Sequence, residues 1–119
     1  MPYLIKNVKN SEPRKITCGI MRNLTAKKDF SDMDFCHVTI SDETQEHYHD
    51  KLTECYYVLK GSIAVRLDDK TENLEKGSLI LIHPRTKHKA RKTSEEDAEI
   101  LVICCPPWSK EDEILTKNN

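Results

Sequence analysis

Short alternating segments separated by turns constrain this chain more than any other feature of its sequence. Between residues 33 and 40 the apolar side chains of Cys36, Val38 and Ile40 occupy every second position, and comparable segments recur as far as Cys105. Alternation with a period of two is typical of strands that bury one face. No long amphipathic helical pattern precedes residue 109. The sequence therefore predicts an all-β fold, a small antiparallel sandwich or barrel of about eight or nine strands.

The sequence near each end of the chain predicts one further element, a strand near the N-terminus and a helix near the C-terminus. Residues 16–21 favour a strand that contains Gly19 as a bulge. Near the other end, Pro106 and Pro107 interrupt the last apolar segment. Ser109 and Asp112 then have the spacing of a helix start. We expect a short C-terminal helix after an otherwise all-β body.

Composition limits the classes of partner. A length of 119 residues fits one domain, and 19 basic against 20 acidic residues argue against nucleic-acid binding through a positive surface. The apolar run 100–105 is far shorter than the roughly 20 residues that span a bilayer. Five cysteines without a C-x-x-C pair are typical of a reduced protein. These features predict a cytoplasmic protein with neither a membrane nor a nucleic acid as partner.

A pair of histidines suggests a metal site. His47 and His49 lie two residues apart on an extended segment, so both imidazoles leave the same face, about 7 Å apart at the backbone. Imidazoles at this spacing can converge on one metal ion. Glu54 follows the turn at residues 50–53, and a hairpin would return its carboxylate to the histidines.

The alternation around His88 indicates which way its imidazole points. Arg85, Lys87, Lys89 and Arg91 share one face of that segment, whereas His88 shares the other with Thr86 and Ala90. Because the charged face must be outside, His88 points inward. A buried imidazole needs a polar partner, and a metal shared with the other histidines would supply one.

These residues occur in two motifs of a known family. His47-x-His49, four residues, Glu54, six residues and Gly61 resemble the first motif of the cupin superfamily from its first histidine onward. Gly77 and His88 resemble the first glycine and the histidine of the second motif. The resemblance extends over residues 30–105.

The chain departs from both motifs at single positions. Ser41 stands in place of a glycine, and Lys92 in place of an asparagine. In the second motif His83 replaces a proline and Arg85 replaces a glycine. A side chain at position 85 disfavours the positive φ that glycine permits, so we expect a different loop before His88.

The resemblance implies a fold, a cofactor and partners. It implies one cupin domain over residues 1–119, an antiparallel β-barrel or jelly roll with its core at about residues 30–105. It also implies a homodimer and a small-molecule ligand inside the barrel. One divalent ion (Mn, Fe, Ni or Zn) would be held by His47, His49, Glu54 and His88.

The function implied is that of a metalloenzyme acting on a small polar or anionic substrate, such as a sugar or a hydroxy or keto acid. Dioxygenases, isomerases and lyases all occur in the family. A non-catalytic module that binds a metal or a small ligand is the alternative, and a barrel that never holds a metal is a third interpretation. The candidate catalytic residues are His83, Arg85 and Tyr56. His83 is also interpreted as a residue of the barrel rim, Arg85 as part of a charged row that solvates its strand, and Tyr56 as a packing residue that shares the face of Glu54.

Overall fold

The alternating segments fold into two antiparallel sheets packed face to face. A computed structural model describes residues 2–119, and within them it contains eleven strands. In chain order these are β1 (Arg14–Ile16), β2 (Gly19–Asn23), β3 (Asp34–Ile40), β4 (His47–His49), β5 (Thr53–Lys60), β6 (Ser62–Leu67), β7 (Lys70–Glu75), β8 (Leu79–Ile82), β9 (His88–Lys92), β10 (Ala98–Cys105) and β11 (Glu113–Leu115). The all-β jelly-roll prediction is confirmed.

The two sheets divide the chain unequally. One has six strands in the order β1-β2-β3-β10-β5-β8, and the other has five in the order β11-β4-β9-β6-β7. Their facing sides bury the core, whose most buried apolar side chains include those of Ile40, Leu52, Val58, Ile63 and Val65. Along β3, Val38 and Ile40 point into this core as the alternation predicts. Across the described residues, no helix combines the length and apolar character needed to cross a bilayer.

The prediction of a single bulged strand at residues 16–21 was wrong. Residues 14–23 form a hairpin, in which Ile16 of β1 is paired with Gly19 of β2, rather than one strand with a bulge. The glycine is needed for a different reason. An added Cβ at Gly19 would lie 1.9 Å from the carbonyl oxygen of Thr39, so β2 can approach β3 this closely only without a side chain there.

The predicted C-terminal helix is also absent from the described chain. Residues Lys110–Asp112 form a single 3-10 turn, and β11 follows at once. β11 pairs with the side of β4 that faces away from β9, and so forms one edge of the five-stranded sheet. The Asp112 carboxylate, which the sequence pattern assigned to the start of a helix, accepts hydrogen bonds from the backbone N–H groups of Lys51 and Leu52 at 2.8 and 3.1 Å. Tertiary pairing therefore overrides a weak local helix signal.

We expect Gly19→Ala to lower the free energy of unfolding by more than about 2 kcal/mol, because its Cβ would collide with the backbone of Thr39. Gly77→Ala is the matched control. No atom lies within 4 Å of a Cβ at Gly77, although its φ is +89°, so backbone strain of about 1 kcal/mol is the expected cost. Urea denaturation measures both, and equal losses would contradict the steric explanation.

Asp112→Ala is expected to cost about 2 kcal/mol of stability, since it leaves two backbone N–H donors without their charged acceptor. Glu111 is the exposed neighbour. Glu111→Ala should change stability by less than about 0.5 kcal/mol. Chemical denaturation of the two variants compares them, and the same small effect in both would show that the Asp112 contacts contribute little.

Candidate metal centre

Three strands bring the four predicted metal ligands together. β4 carries His47 and His49, β5 carries Glu54, and β9 carries His88. His47 is paired directly with His88 across β4 and β9, and their ring centroids are 4.3 Å apart. Each of the four residues offers one ligand atom, and these atoms all lie within 4.8 Å of one another. Side chains that are distant in the sequence thus form one compact group.

Main-chain carbonyl groups orient two of the imidazoles. Nδ1 of His47 lies 2.8 Å from the carbonyl oxygen of Gln45, and Nδ1 of His88 lies 2.8 Å from that of Thr86. A carbonyl oxygen can only accept, so each Nδ1 carries the hydrogen and donates it. Both rings therefore direct Nε2 toward the group, as metal-ligating histidines do when the other nitrogen is hydrogen-bonded.

His88 and Glu54 form a buried ion pair. Nε2 of His88 donates to Oε1 of Glu54 at 2.9 Å. Burial alone would lower the pKa of His88, but the hydrogen bond to Glu54 and its charge outweigh burial and raise that pKa. Burial would likewise raise the pKa of Glu54, yet His88 and the other two histidines lower it to about 2. The carboxylate is therefore ionised at neutral pH and available as an anionic ligand.

His49 has no hydrogen-bond partner among the described residues. Its side chain is 3% exposed, and both ring nitrogens are buried without a partner. Nε2 lies 3.8 Å from Oε2 of Glu54, and Nδ1 lies 4.0 Å from Oδ2 of Asp112. Both separations exceed hydrogen-bond length. Burial lowers the pKa of His49 and favours the neutral ring. Leaving a buried nitrogen unpaired costs about 1–3 kcal/mol of stability, so a partner that binds this imidazole would stabilise the site.

The donor set fits a divalent metal ion. Three imidazole nitrogens and one carboxylate oxygen are ligands that zinc, iron, nickel and manganese accept. A cation among them would give His49 the partner that the protein does not provide. The four residues can therefore hold a metal.

Two side chains from the six-stranded sheet surround the Glu54 carboxylate. The Cys104 thiol donates to Oε2 at 3.7 Å, and burial, reinforced by the charge of Glu54, raises the pKa of this thiol. Tyr56 is 6% exposed and shares the inner face with Glu54, as the alternation predicts, with its ring centroid 6.4 Å from that of His88. Burial and the Glu54 charge raise the Tyr56 pKa well above its ordinary value. The Cys104 thiol and the Tyr56 hydroxyl therefore stay protonated beside the Glu54 carboxylate.

The group opens into a cavity of about 590 Å³. His47, Glu54 and Tyr56 line its metal end, and apolar side chains of β3 and β10 form one wall. Segments outside the two motifs complete the rest of the lining. They contribute chiefly Arg14, Asn23, Lys27, Asp34, Trp108, Glu113 and Leu115.

Sequence reasoning missed these additional lining residues. Arg14 and Lys27 lie in the N-terminal segment, and Glu113 lies where a helix was expected. Glu113 reaches the site because β11 pairs with β4, which places its Oε1 3.7 Å from Nε2 of His47. Strand pairing places Arg14 and Glu113 at the cavity, and the turn between β2 and β3 places Lys27 there; no local pattern marks them.

Two of the three candidate catalytic residues lie away from the cavity lining. His83 is exposed. The Arg85 side chain is 75% exposed and pairs with Asp50 at 3.1 Å. The expectation that Arg85 avoids positive φ was wrong, because its φ is +68°. Its backbone N–H donates to the carbonyl of His49 at 2.7 Å, which ties the loop to β4 in the conformation that glycine would favour.

The Glu46 carboxylate hydrogen-bonds the C-terminal segment after β11 and holds it next to the site. It accepts hydrogen bonds from Oγ1 of Thr116 at 2.6 Å and from Nδ2 of Asn118 at 3.1 Å. These two bonds lower the pKa of Glu46. Because Glu46 directly precedes His47, the segment that carries Glu113 and Leu115 is held against the ligand-bearing strand.

Comparisons with known proteins agree with this architecture. An uncharacterized protein, MJ1618, of Methanocaldococcus jannaschii is 37% identical over 79 residues, which are 66% of this chain and 63% of the relative. This chain therefore spans less than two thirds of that relative. A protein from Planctomyces limnophilus superposes with a TM-score of 0.83 at 24% identity, covering 97% of each chain.

A second structural likeness is to an enzyme. A variant of Streptomyces PAC13, solved with uridine, superposes with a TM-score of 0.85 at 17% identity, over 98% of this chain and 92% of the other. PAC13 is described as a nucleoside dehydratase. At this identity the likeness shows the fold alone. The family model described as "Cupin domain" matches residues 35–104, which include all four converging side chains. The chain belongs to the cupin family.

Proposed function

We propose that this cupin is a metal-dependent enzyme acting on a small polar or anionic molecule bound in the barrel. The observation that carries the proposal is the convergence of His47, His49, Glu54 and His88 at the end of an open cavity, with both nitrogens of His49 unpartnered among residues 2–119. Four protein ligands close a tetrahedral structural site, but a metal ion that takes five or six ligands keeps positions free beside the same four residues. A centre next to a cavity of about 590 Å³ has room for a further ligand.

The same four residues would hold one divalent ion, either Mn, Fe, Ni or Zn. When bound, such an ion supplies Lewis acidity, which polarises an oxygen of a ligand or lowers the pKa of a bound water. Glu54 offsets part of its charge, and the Gln45 and Thr86 carbonyls keep the His47 and His88 rings oriented. Cys104 donates to the second oxygen of Glu54 and so restrains the carboxylate.

The cavity lining supports a polar ligand with an acidic group. Arg14 and Lys27 line the cavity and are exposed, and no described carboxylate forms an ion pair with either. The only side-chain polar contact of Arg14 in the described chain is with the Met21 sulfur, at 3.9 Å. Asp34, by contrast, already accepts the backbone N–H of Trp108. Two uncommitted cations are suited to a carboxylate or phosphate group.

The structural neighbours agree with a small polar ligand in such a barrel. PAC13 is seen with uridine, a molecule with a polar sugar and a planar base. The cavity described here likewise combines polar groups with apolar walls formed by residues such as Val38, Ile100 and Val102. Sugars, hydroxy acids and keto acids are the substrate classes proposed for it.

Replacing His49 tests the metal proposal most directly. We expect the unmodified chain to bind about one ion per chain and His49→Ala to lose it, because a buried ligand is removed. A metal concentration 100-fold above Kd should raise the Tm of the unmodified chain by roughly 10 °C and leave that of the variant unchanged. Elemental analysis and thermal denaturation with Mn, Fe, Ni and Zn measure these effects.

His83→Ala is the matched control for this experiment, because His83 is exposed and lies away from the cavity. It should keep the full metal content. Retention of stoichiometric metal by His49→Ala would overturn the ligand assignment. An unmodified chain that neither contains metal nor responds to any of the four ions would overturn the proposal that the protein uses a metal.

Arg14→Met tests the anionic substrate class. With the manganese-loaded protein we expect malate, 2-oxoglutarate or glucose 6-phosphate to bind roughly threefold to tenfold more weakly to the variant, since one exposed cationic contact is lost. Lys15→Met is the control, because Lys15 is the next residue of β1, faces the other way and is not a lining residue. Calorimetry gives the affinities. Equal binding by both variants, or tighter binding of neutral glucose than of the acids, would contradict an acidic ligand.

A further inference from the structure

Glu113 differs from the other two carboxylates that line the cavity, because it has no hydrogen-bond donor. Glu54 accepts hydrogen bonds from two buried side chains, and Asp34 accepts one from a backbone N–H group. Within residues 2–119 no group donates a hydrogen bond to the Glu113 side chain, which is 35% exposed and faces the cavity. A molecule that fills the cavity covers this carboxylate and must offer it a donor in exchange for solvent.

The Glu113 carboxylate lies beside the candidate metal centre without belonging to it. Its Oε1 is 3.7 Å from Nε2 of His47, which is beyond hydrogen-bond length. Because Nδ1 of His47 donates to the Gln45 carbonyl, Nε2 is the nitrogen that faces a metal, and a metal-bound Nε2 has no hydrogen to offer Glu113. Glu113 is also not one of the four residues whose ligand atoms converge within 4.8 Å. The carboxylate is therefore available to a molecule bound next to the centre.

Contacts on both sides of Glu113 fix its position. Its own residue is paired with His49 across β11 and β4. Immediately before it, the Asp112 carboxylate accepts two backbone N–H groups from the turn after β4. Three residues after it, Oγ1 of Thr116 donates to the Glu46 carboxylate. The backbone that carries Glu113 is thus held in place before any ligand binds, which is what a selective binding group requires.

The charges of the cavity lining orient an acidic ligand. The negative charge of Glu113 disfavours an acid group beside it, whereas Arg14 and Lys27 supply the positive charges of the lining. Burial and neighbouring carboxylates, Glu54 among them, raise the pKa of Cys36 in the cavity wall to about 12, and the charge of Arg14 opposes this rise. Because such effects weaken with distance, Glu54 and Arg14 both lie near the same part of the wall. One small molecule can therefore place its acid group toward Arg14 and another polar group toward Glu113.

We propose that Glu113 accepts a hydrogen bond from a hydroxyl group of the bound molecule, so that the substrate is a hydroxy acid or a sugar acid and not a keto acid. This inference rests on the proposed function, because it starts from an acidic ligand in the barrel and narrows its class. A keto oxygen can only accept, and beside Glu113 it would leave two acceptors facing each other. A hydroxyl group donates, and its hydrogen bond to a carboxylate is a strong one. A site with a fixed polar group discriminates against the analogue that lacks the matching group.

Calorimetry with two acids of the same carbon chain tests this assignment. We expect the manganese-loaded chain to bind 2-hydroxyglutarate, in one of its enantiomers, roughly tenfold more tightly than 2-oxoglutarate, because only the hydroxyl group donates to Glu113. Glu113→Ala should bind the two acids about equally. Glu113→Gln retains an acceptor oxygen and should keep part of the preference. Glu111→Ala is the control and should keep all of it, since Glu111 is exposed on the preceding turn and does not line the cavity.

Metal content distinguishes a role in binding the substrate from a role in binding the metal. By elemental analysis Glu113→Ala should keep about one ion per chain, and loss of that ion would overturn the proposal. A preference for the hydroxy acid that survives in Glu113→Ala, or equal binding of both acids by the unmodified chain, would overturn this inference and leave the proposed function intact. If neither acid binds the unmodified chain, the acidic substrate of the proposed function fails together with this inference.

Discussion

The direct pairing of His47 with His88 is the constraint on which the site depends. It places two imidazoles opposite each other on neighbouring strands of the five-stranded sheet. The turn after β4 does not form the expected hairpin, because β4 and β5 belong to different sheets; it carries the chain across to the facing sheet, from which Glu54 completes the group. Because one residue of register shift would turn every side chain of β4 to the opposite face, the pairing and the burial of the histidines stabilise each other.

The sequence predicted the parts of the fold that alternate. The burial of Val38 and Ile40, the inward direction of His88 and the shared face of Glu54 and Tyr56 all follow from a period of two. The polar strand β7 and the strand β11 carry little alternation, and their pairing partners decide their conformation. Asp112 shows why local signals were insufficient, because its carboxylate binds the backbone at Lys51 and Leu52 and does not cap a helix.

The cavity lining was harder to predict than the convergence of His47, His49, Glu54 and His88, because most of the lining carries no sequence motif. His47, Glu54 and Tyr56 line one end of the cavity and lie close together in the sequence. Arg14, Lys27 and Glu113 line the rest and come from segments distant in sequence. The pairing of β1 with β2 and of β11 with β4, together with the turn after β2, brings these distant segments to one opening. The two faces of the six-stranded sheet consequently have different roles, since its inner face lines the cavity and its outer face presents leucine and tyrosine to the surroundings.

The groups that orient His47 and His88 are main-chain carbonyls, and this has a consequence for how such a protein can change. The side chains at Gln45 and Thr86 are not needed for that orientation, so mutation there can reshape the neighbourhood of the centre while the imidazoles keep their direction. Gln45 also lines the cavity. Changes at position 45 can therefore alter the cavity while the backbone contacts that direct the two imidazoles are kept.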